Sequence, residues 1–561
     1  MNIGYESVKN VISSRQSSIK GAAIILAITV FLSRILGLVR DRLLAGVFGA
    51  GSSLDAYFAA FRIPDLVFNI LFAGGIIVSL LPVFAEYQQK NKEESWKIIN
   101  TMINFFIVSF FICFILFYIF TPQIVSSTIS SFSLEAQTVT VNLSRMIFIS
   151  VLFFGISSVL STVLNYFNRF VAYSLAPIFY NLGIIFGVVF LAPFWGIYGA
   201  GMGVVIGALA HLLIQLPAAL RCGYKYEWSF GMNHPAIKNL FTLMIPRMIA
   251  ASASQINFIV VTSIAAGLGT GAITIFYFSN NLRYVPIGII GISFATAVFP
   301  VLSRLWAEKK KDDFCKSFYS VFAQTMYISL PIGILLFVLR NPIVEAILKT
   351  GQFGTASVEI TAACLGMYAI STFSQCLVSI VLRGFFSLKD TVTPTVISIV
   401  FVALSYILSL FFAQLFQQSD FIINIVKSIF QLGGMTNFGV LGLVFGFNLA
   451  LLLEFLLLLI YFYKKVGNFG IKKLVVSFLK MSVAGFAMAA ISVLALNFVQ
   501  FNLDVALRLV LSMPPVIYLI FDLCVVSFIA SLVYIFFTAL FGCPEVDFYK
   551  GYVLRKLRIR K

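Results

Sequence analysis

Long apolar runs separated by short polar segments make up most of the chain. A spanning helix needs ~20 apolar residues, and these runs are continuous rather than alternating, which favours helices over the strands of a membrane barrel. We therefore predict an all-α polytopic membrane protein with about 14 transmembrane helices. The predicted spans are residues 21–40, 56–84, 99–120, 146–167, 171–194, 196–220, 240–267, 273–302, 318–339, 361–382, 391–415, 439–463, 474–498 and 516–541, and a weaker apolar stretch at 417–438 predicts an interfacial helix.

The composition supports the same class of protein. Of the 561 residues, 60% are hydrophobic and 11% are charged, and the mean hydropathy is +1.01, which excludes an ordinary soluble globular protein. The first apolar run follows Lys9, Arg15 and Lys20, as in a secretory signal peptide. Because Arg34 interrupts that run and no small-residue cleavage site follows, we expect a retained first helix.

The distribution of basic residues predicts the orientation in the membrane. An even number of spans puts both termini on one side, and most of the 39 Lys and Arg fall in segments on that side. Since loops rich in Lys and Arg stay in the cytoplasm, we expect cytoplasmic termini, and the net charge of +18 then requires no nucleic-acid partner. The opposite side carries Arg145, Arg340, Lys349, Lys427 and Arg508.

Four short motifs return in the same order about 220 residues later, which indicates an internal repeat. They are Gly49-Ala50-Gly51 with Gly269-Thr270-Gly271, Pro82-Val83-Phe84 with Pro300-Val301-Leu302, Pro122-Gln123-Ile124 with Pro342-Ile343-Val344, and Asn165-Tyr166-Phe167 with Gly384-Phe385-Phe386. Six helices per repeat is an even number, so we predict two parallel six-helix lobes around a central cavity, with two extra C-terminal helices. The predicted parts are a cytoplasmic N-terminal segment 1–20, lobes 21–221 and 240–465, the extra helices 474–541 and a basic cytoplasmic tail 542–561.

The sequence offers no pattern for catalysis or for metal binding. The 7 cysteines form no CxxC pair, and His211 and His234 have no acidic or cysteine residues near them in the sequence. We find no nucleophile–base constellation and no GxxxxGK[ST] phosphate-binding loop. The sequence therefore predicts a transporter rather than an enzyme, with no metal site and no cofactor.

Arginines inside the first apolar run carry the functional information. A charge at membrane depth costs at least ~2.5 kcal/mol and usually faces a polar cavity. Arg34 lies ~20 Å along the first helix, past the midplane. Arg40 and Arg42 fall near its outer end, where reaching the outer headgroups is the alternative role. Basic side chains at this depth indicate an anionic substrate.

Further charges recur in the later spans. Prolines, which kink helices around cavities, stand within three residues of Arg62, Arg247 and Arg283. Asp55 opens the second span, and Asp55 or Asp65 is also a candidate ion-pair partner for the arginines. Because guanidinium groups suit bidentate binding of phosphate or carboxylate, Arg62 and Arg283, together with the first-span arginines, predict a basic cavity in the outer half of the membrane.

Two carboxylates lie at membrane depth in the last spans. Glu454 and Asp522 could each bind a coupling cation, or could be protonated or paired structural groups. The two extra C-terminal helices lack the arginines and prolines of the repeats. They could wall a lateral groove for a lipid tail or form a stabilising flank.

Several motifs agree with those of a known family over roughly residues 20–465. They are Ser33-Arg34-x-x-Gly37-x-x-Arg40-Asp41, Phe48-Gly49-Ala50-Gly51, Asp55-Ala56-Tyr57-Phe58, Phe61-Arg62-Ile63-Pro64, Pro82-Val83-Phe84-Ala85-Glu86-Tyr87, Leu164-Asn165, Asn168-Arg169-Phe170, Gly351-Gln352-Phe353, Gly384-Phe385-Phe386-Ser387, Asp390-Thr391 and Pro394. At these residues the chain resembles the MurJ/MviN family of lipid II flippases, within the multidrug/oligosaccharidyl-lipid/polysaccharide exporter superfamily.

The resemblance implies a multi-pass protein of the bacterial inner membrane that moves lipid II, an undecaprenyl-pyrophosphate-linked disaccharide-peptide, to the outer leaflet by alternating access. Family members use cavity arginines and an acidic partner, and the matching positions are Arg34, Arg40 and Asp55. With Arg62, Arg247, Asn281 and Arg283 these form the predicted substrate site. Membrane lipids and cell-wall synthesis proteins are the further partners that this role implies, and Na⁺, H⁺ or the membrane potential would drive transport, with Glu454 as the candidate coupling residue.

The chain departs from the family at several positions. Family members often carry arginines where this chain has Phe68-Asn69 and Asn281, with Arg283 two residues beyond, and often a glutamate before the glycine at Gly74. Some members bind sodium through carboxylates in the seventh and eleventh helices, where this chain has none at membrane depth. These departures suggest rearranged pyrophosphate contacts and leave the coupling ion open.

Three other functions remain alternatives from the residues. A flippase for another polyprenyl-linked glycan, of the O-antigen or capsule type, would share the fold and the anion cavity. A cation-coupled multidrug exporter needs membrane-depth carboxylates, so a basic cavity disfavours it. A scaffold for cell-wall enzymes has no need of arginines at membrane depth.

Overall fold

The computed structural model describes residues 19–73, 76–432, 438–500 and 514–546, and every regular element in those ranges is helical. Of the predicted terminal segments 1–20 and 542–561, the structure describes residues 19–20 and 542–546. The helices are α1 (Ile19–Phe48), α2 (Ser52–Ala60), α3 (Arg62–Phe68), α4 (Ile76–Lys90), α5 (Lys92–Thr128), α6 (Leu134–Tyr166), α7 (Phe170–Phe186), α8 (Ala192–Trp195), α9 (Ile197–Leu213), α10 (Leu216–Arg221), α11 (Pro235–Ala266), α12 (Ala272–Pro286), α13 (Ser293–Ala307), α14 (Lys311–Val338), α15 (Arg340–Leu348), α16 (Thr355–Ser387), α17 (Val392–Gln418), α18 (Asp420–Phe430), α19 (Gly439–Val466), α20 (Ile471–Phe498) and α21 (Pro515–Leu540).

Among the described residues, 11 helical segments are long and apolar enough to cross a membrane. The chain is therefore a multi-pass membrane protein, and the predicted all-α class is confirmed. The other predicted spans correspond to α1, to α2–α4 and to α11, which carry more charge or adjoin residues outside the described ranges. The number of fourteen spans stays a prediction.

π-helical turns lie at Asn69–Ala73, Gly187–Leu191 and Ile287–Ile292, and the first and last of these match the repeat that the motifs predicted. One turn, Asn69–Ala73, follows α3, and another, Ile287–Ile292, follows α12 at an offset of 218 residues from start to start (287 − 69). The long helices α5 and α14 begin 219 residues apart (311 − 92). The same order of elements at nearly one offset supports an internal repeat. Pro64 lies inside α3, and the break in the second predicted span falls at Phe61 rather than at the proline.

The chain divides into two compact units. Unit 1 comprises Met1–Thr274 and Thr350–Phe353, and unit 2 comprises Ile275–Lys349 and Gly354–Lys561. Helix α11 thus belongs to unit 1, whereas the predicted second lobe starts at residue 240. The predicted lobe boundaries stay a prediction.

Glycines allow two helices of unit 1 to pack at backbone distance. A Cβ on Gly183 of α7 would lie 2.2 Å from Cα of Gly207 in α9, and one on Gly187 would lie 2.5 Å from Cα of Gly203. Small residues at such contacts are the usual means of helix association in lipid, where apolar burial drives little. Because α1 packs along α7, this contact fixes the neighbourhood of the first-helix arginines.

Unit 2 is built around α14, α16 and α19. The rings of Phe318 in α14 and Phe462 in α19 lie 4.5 Å apart, and Phe385 of α16 packs 5.3 Å from Phe462. The predicted weak stretch at 417–438 contains α18, whose Val426 and Phe430 are buried while Phe421 is exposed. That amphipathic pattern suits the interfacial helix expected there, and its position at the membrane surface stays a prediction.

Candidate functional site

Arg40 is held by two side chains within unit 1. Its Nε and Nη2 donate to Oδ1 of Asp41 at 3.0 and 2.7 Å, and its Nη1 donates to Oδ1 of Asn181 in α7 at 3.2 Å. The Arg40 side chain is 15% exposed and that of Asp41 is 3% exposed. The guanidinium is therefore oriented by a carboxylate and an amide before any ligand arrives.

Asn181 ties this cluster to the backbone of two helices. Its Nδ2 donates to the Pro177 carbonyl at 3.0 Å and to the Ser33 carbonyl and hydroxyl at 3.4 Å. Helix α1 continues through Gly37 without a break, and a Cβ there would lie 4.0 Å from the Asn181 Oδ1. Sequence reasoning missed Asn181, although a polar residue inside an apolar span was a usable signal.

Arg34 differs from Arg40 in having an exposed side chain. Within the described ranges it makes no hydrogen bond or ion pair. Six residues separate the two arginines, so they lie ~9 Å apart along α1 and about 120° apart around its axis. One helix thus presents one preoriented guanidinium and one that is accessible.

Asp55 caps a helix that starts more than two hundred residues away. The carboxylate is 1% exposed and accepts from the backbone N–H of Gly271 at 2.6 Å, the backbone N–H of Thr274 at 2.8 Å and the Thr274 hydroxyl at 2.6 Å. Gly271 has φ +88°, and a Cβ there would lie 2.6 Å from the Ala50 carbonyl, so glycine is needed for this approach. The first turn of α12 receives its cap from α2.

A small polar cavity of about 160 Å³ adjoins this cap. It is lined by Ser52, Asp55, Ser131, Ser133 and Thr270, among others. Asp55 was predicted to contact substrate. In this structure its three acceptor contacts go to Gly271 and Thr274, and its role toward substrate stays a prediction.

The other predicted basic residues of unit 1 are placed differently. Arg62 begins α3, is 8% exposed, and its Cζ lies 5.6 Å from the ring centroid of Phe258 in α11. Arg247 lies in α11, but its side chain is outside the described part of the structure. Arg34, Arg40 and Arg62 therefore have different surroundings within unit 1.

Arg283 is buried among aromatic rings of unit 2. It is 2% exposed, its Nη2 donates to Asn280 Oδ1 at 2.8 Å, and its Cζ lies 4.4 Å from the Tyr368 ring centroid and 5.6 Å from that of Phe447. Its Nε and Nη1 have no hydrogen-bond partner among the described residues. Asn281, two residues before Arg283, is half-buried.

Glu454 lies in α19 and is half-buried. It forms no hydrogen bond or ion pair with the residues that the structure describes. No group of three or more metal-ligating side chains occurs among the described residues. The structure thus assigns Glu454 no partner that would identify its role.

An apolar groove of about 540 Å³ runs between α14, α16 and α20 of unit 2. Close packing forms its floor, because a Cβ on Gly333 would lie 2.9 Å from the Ala369 carbonyl and one on Gly485 would lie 2.3 Å from Ile334. Of the two extra C-terminal helices only α20 lines the groove. Its lining includes Leu330, Phe337, Ile370, Phe373, Phe486 and Val493.

Solved structures share this architecture. "Lipid II flippase MurJ, inward closed conformation" matches with a TM-score of 0.72 at 24% identity, over 92% of this chain and 98% of that chain. An inward-facing multidrug resistance MATE family transporter of the MOP superfamily matches with a TM-score of 0.61 at 14% identity, over 80% of this chain and 98% of that one. At these identities the likeness shows the fold alone.

Sequence comparison is more specific. A relative from Buchnera aphidicola subsp. Acyrthosiphon pisum, named "Probable lipid II flippase MurJ", is 30% identical over 401 residues, which is 70% of this chain and 78% of the relative. The model of the family described as "Lipid II flippase MurJ" matches residues 44–513. Since that match covers well over half of the chain, the protein belongs to the MurJ family of lipid II flippases.

Proposed function

We propose that the protein moves lipid II from the cytoplasmic to the outer leaflet of a bacterial inner membrane by alternating access, with both termini in the cytoplasm. The observation that carries the proposal is the pair of arginines on α1. Arg34 is exposed on an apolar helix and has no partner in the described part of the chain, and Arg40 is already oriented by Asp41 and Asn181. Two guanidiniums on one helix suit the two phosphates of a pyrophosphate.

The role of Arg40 follows from its present contacts. Asp41 supplies a resting counter-charge at 2.7 Å, so the burial of Arg40 is compensated before substrate binds. A pyrophosphate would compete with that carboxylate for the same guanidinium. We propose that Arg34 makes the first contact and that Arg40 joins it.

The apolar groove of unit 2 is our candidate for the polyprenyl tail. Its walls are mainly aromatic and aliphatic side chains of α14, α16 and α20, with Ser482 as a polar residue, and none of the described residues that line it is charged. Burying a hydrocarbon chain gains about 0.8 kcal/mol per CH₂ group, so even a short stretch of tail would contribute to binding. The groove supports a lipid-linked substrate over a soluble anion.

We propose transport without a chemical step on the substrate, driven by Na⁺, H⁺ or the membrane potential. Glu454 is the candidate coupling residue, because it is a half-buried carboxylate without a described partner inside a membrane helix. Removing its charge as Glu454→Gln should leave substrate binding intact and weaken ion-driven turnover. Turnover that is unchanged across sodium and proton gradients would make Glu454 structural.

Complementation tests the function and the site together. A bacterium depleted of its own lipid II flippase would express this chain, and exposure of lipid II on the outer leaflet would be measured. We expect rescue by the wild type and by the control Arg145→Ala. The Cζ of Arg145 lies 4.0 Å from the ring centroid of Tyr118, and Arg145 is not part of the proposed site. We expect no rescue by Arg34→Ala or Arg40→Ala at equal expression.

Each other outcome has a distinct meaning. Rescue by Arg34→Ala and Arg40→Ala would refute the assignment of the pyrophosphate contacts. Failure of the wild type, despite inserted protein, would favour another polyprenyl-linked glycan and direct attention to the absent family arginines at Phe68-Asn69 and Asn281.

A further inference from the structure

A second cavity in unit 2 shares no lining residue with the proposed function. Its volume is about 610 Å³, and it opens between the start of α14 and the turn that joins α19 to α20. Its walls hold the side chains of Lys311, Lys316 and Lys473, with Asp312 as the one carboxylate. The cavity is at the end of unit 2 that also carries Lys464 and Lys465, the end predicted to be cytoplasmic.

The lysines of this cavity have little local compensation. Lys311 and Lys473 form no ion pair with any residue in the described ranges, and Lys316 reaches Asp313 only at 3.9 Å. Asp312 likewise makes no ion pair there. Lys311 extends towards the turn at Gly467, since its Nζ lies 3.7 Å from the point where a Cβ on Gly467 would be. The cavity therefore keeps an excess of positive charge.

The backbone around the cavity adds to that positive potential. Helix α20 begins at its rim with no side-chain cap and no acidic residue in its first turn, whereas the first turn of α14 carries Asp312 and Asp313. Free N–H groups at helix starts attract anions. Gly470, in the left-handed conformation with φ +99°, is fixed by its N–H bond to Asn468 Oδ1 at 2.9 Å, so the rim is preorganised.

The inner wall has a different character. Val466 and Phe469 are buried, and the Tyr319 ring packs against Gly470, where a Cβ would lie 3.0 Å from the ring. A ligand here would place its charge among the lysines and its uncharged part against these side chains. That division suits a phosphate ester better than a bare inorganic ion.

We propose that this cavity binds a phosphate group at the basic end of unit 2, with Lys311 and Lys473 as its principal contacts. The phosphate could belong to an anionic phospholipid headgroup or to a soluble phosphate compound, since both present the same chemistry to the lysines. The cavity shares no residue with the proposed flippase site, so a negative result for phosphate binding here would leave the proposed flippase function untouched.

The chain offers a matched control for each lysine. Lys309 and Lys472 are exposed, form no ion pair among the described residues and do not line the cavity, although each lies within two residues of a lining lysine. The double variants Lys311→Gln/Lys473→Gln and Lys309→Gln/Lys472→Gln therefore remove the same charge from the same region. Lys311→Arg/Lys473→Arg restores the charge and should restore binding.

The full-length protein, purified in an uncharged detergent, would be titrated with dioleoyl phosphatidylglycerol and with dioleoyl phosphatidylcholine and followed by native mass spectrometry. Sodium phosphate would be titrated by calorimetry. A lysine near a phosphate surface contributes about fivefold in affinity, so loss of both cavity lysines should weaken phosphatidylglycerol binding about 25-fold. The control double variant should stay within about twofold of the wild type.

The two sources give different results. Binding of phosphatidylglycerol alone, lost in the cavity variant, identifies a headgroup site, and binding of sodium phosphate with the same loss identifies a soluble ligand. If both double variants lose the same affinity for the phosphate ligand, the binding depends on general surface charge and not on the cavity, and the proposal is overturned. Absence of preference for phosphatidylglycerol over phosphatidylcholine, together with no phosphate binding, would overturn it as well.

Discussion

The cap that Asp55 provides to α12 allows a sharp test of how the structure holds its shape. In Asp55→Ala the carboxylate is gone, while the backbone N–H groups of Gly271 and Thr274 stay buried. Both N–H groups now donate to Asp55, at 2.6 and 2.8 Å. The space that adjoins them is the small serine-lined cavity beside the cap. We therefore expect a loss of stability rather than a local rearrangement.

The magnitude follows from the lost contacts. Removal of a capping side chain costs about 1 kcal/mol in ordinary helices, and a buried donor left without an acceptor costs about 1–3 kcal/mol. Two donors are affected, and release of the carboxylate from burial offsets part of the cost, so we expect Asp55→Ala to lower the free energy of unfolding by about 2–4 kcal/mol. Thr274→Val removes only the hydroxyl bond and should cost about 1 kcal/mol or less.

The assay is equilibrium unfolding of the purified full-length protein in mixed micelles with increasing SDS, followed by tryptophan fluorescence. Ser52→Ala is the matched control, because Ser52 lines the same cavity and makes no hydrogen bond among the described residues. The expected order of stability is wild type and Ser52→Ala, then Thr274→Val, then Asp55→Ala. If Asp55→Ala unfolds at the same SDS fraction as Ser52→Ala, the cap does not stabilise the protein and our reasoning is wrong.

The remaining predictions concern the loop between α16 and α17 and the coupling carboxylate. Asp390 is partly buried, which opposes ionisation, but its bonds from Lys465 at 2.5 Å and from the backbone N–H of Thr393 at 3.1 Å hold the pKa of its carboxyl below the ordinary value. Because the pKa of Asp390 is lowered in the folded state, its contribution to stability is present above about pH 4 and is lost as the pH falls below that value. Asp390→Asn should therefore lower the free energy of unfolding by about 1 kcal/mol at pH 7 and by progressively less below pH 4. Unfolding midpoints measured against pH would check this. Lys465→Gln should reproduce part of that loss at pH 7, and an unchanged pH profile in Asp390→Asn would contradict the assignment. For Glu454→Gln, uptake assays in vesicles with imposed sodium or proton gradients should show slower turnover with unchanged substrate affinity.

Much of the fold was predictable because apolar length and charge in loops are local properties of the sequence. The long spans, the repeat at about 220 residues and the amphipathic α18 could all be read from the pattern of residues. The breaks within spans were not predictable in the same way. The second predicted span is interrupted at Phe61, and π-helical turns follow α3 and α12. The backbone geometry at these places depends on packing against neighbouring helices, which the local sequence does not give.

The candidate site shows where such local information ends. The motifs pointed to Arg40 and Asp55, but the partners of both come from distant positions, Asn181 for the arginine and the first turn of α12 for the aspartate. A sequence read alone gives no distance between such residues. Asn181 is the partner with a usable signal, since an amide inside an apolar span rarely stays without a bond.

Arg34, Arg40 and Arg283 have different surroundings, and these predict how easily each can bind an anion. Arg283 is 2% exposed and contacts aromatic faces and one amide, so an anion can reach its guanidinium only if the surrounding rings move. Arg40 already donates to oxygens of Asp41 and Asn181 and can exchange the carboxylate for another oxygen ligand, whereas Arg34 makes no hydrogen bond or ion pair with the described residues. Truncation of Arg34 should therefore weaken initial binding of the substrate, whereas truncation of Arg40 should act after binding, on turnover. Binding and turnover measured separately for the two variants would distinguish these roles, and identical effects on both would mean that the two guanidiniums act as one unit.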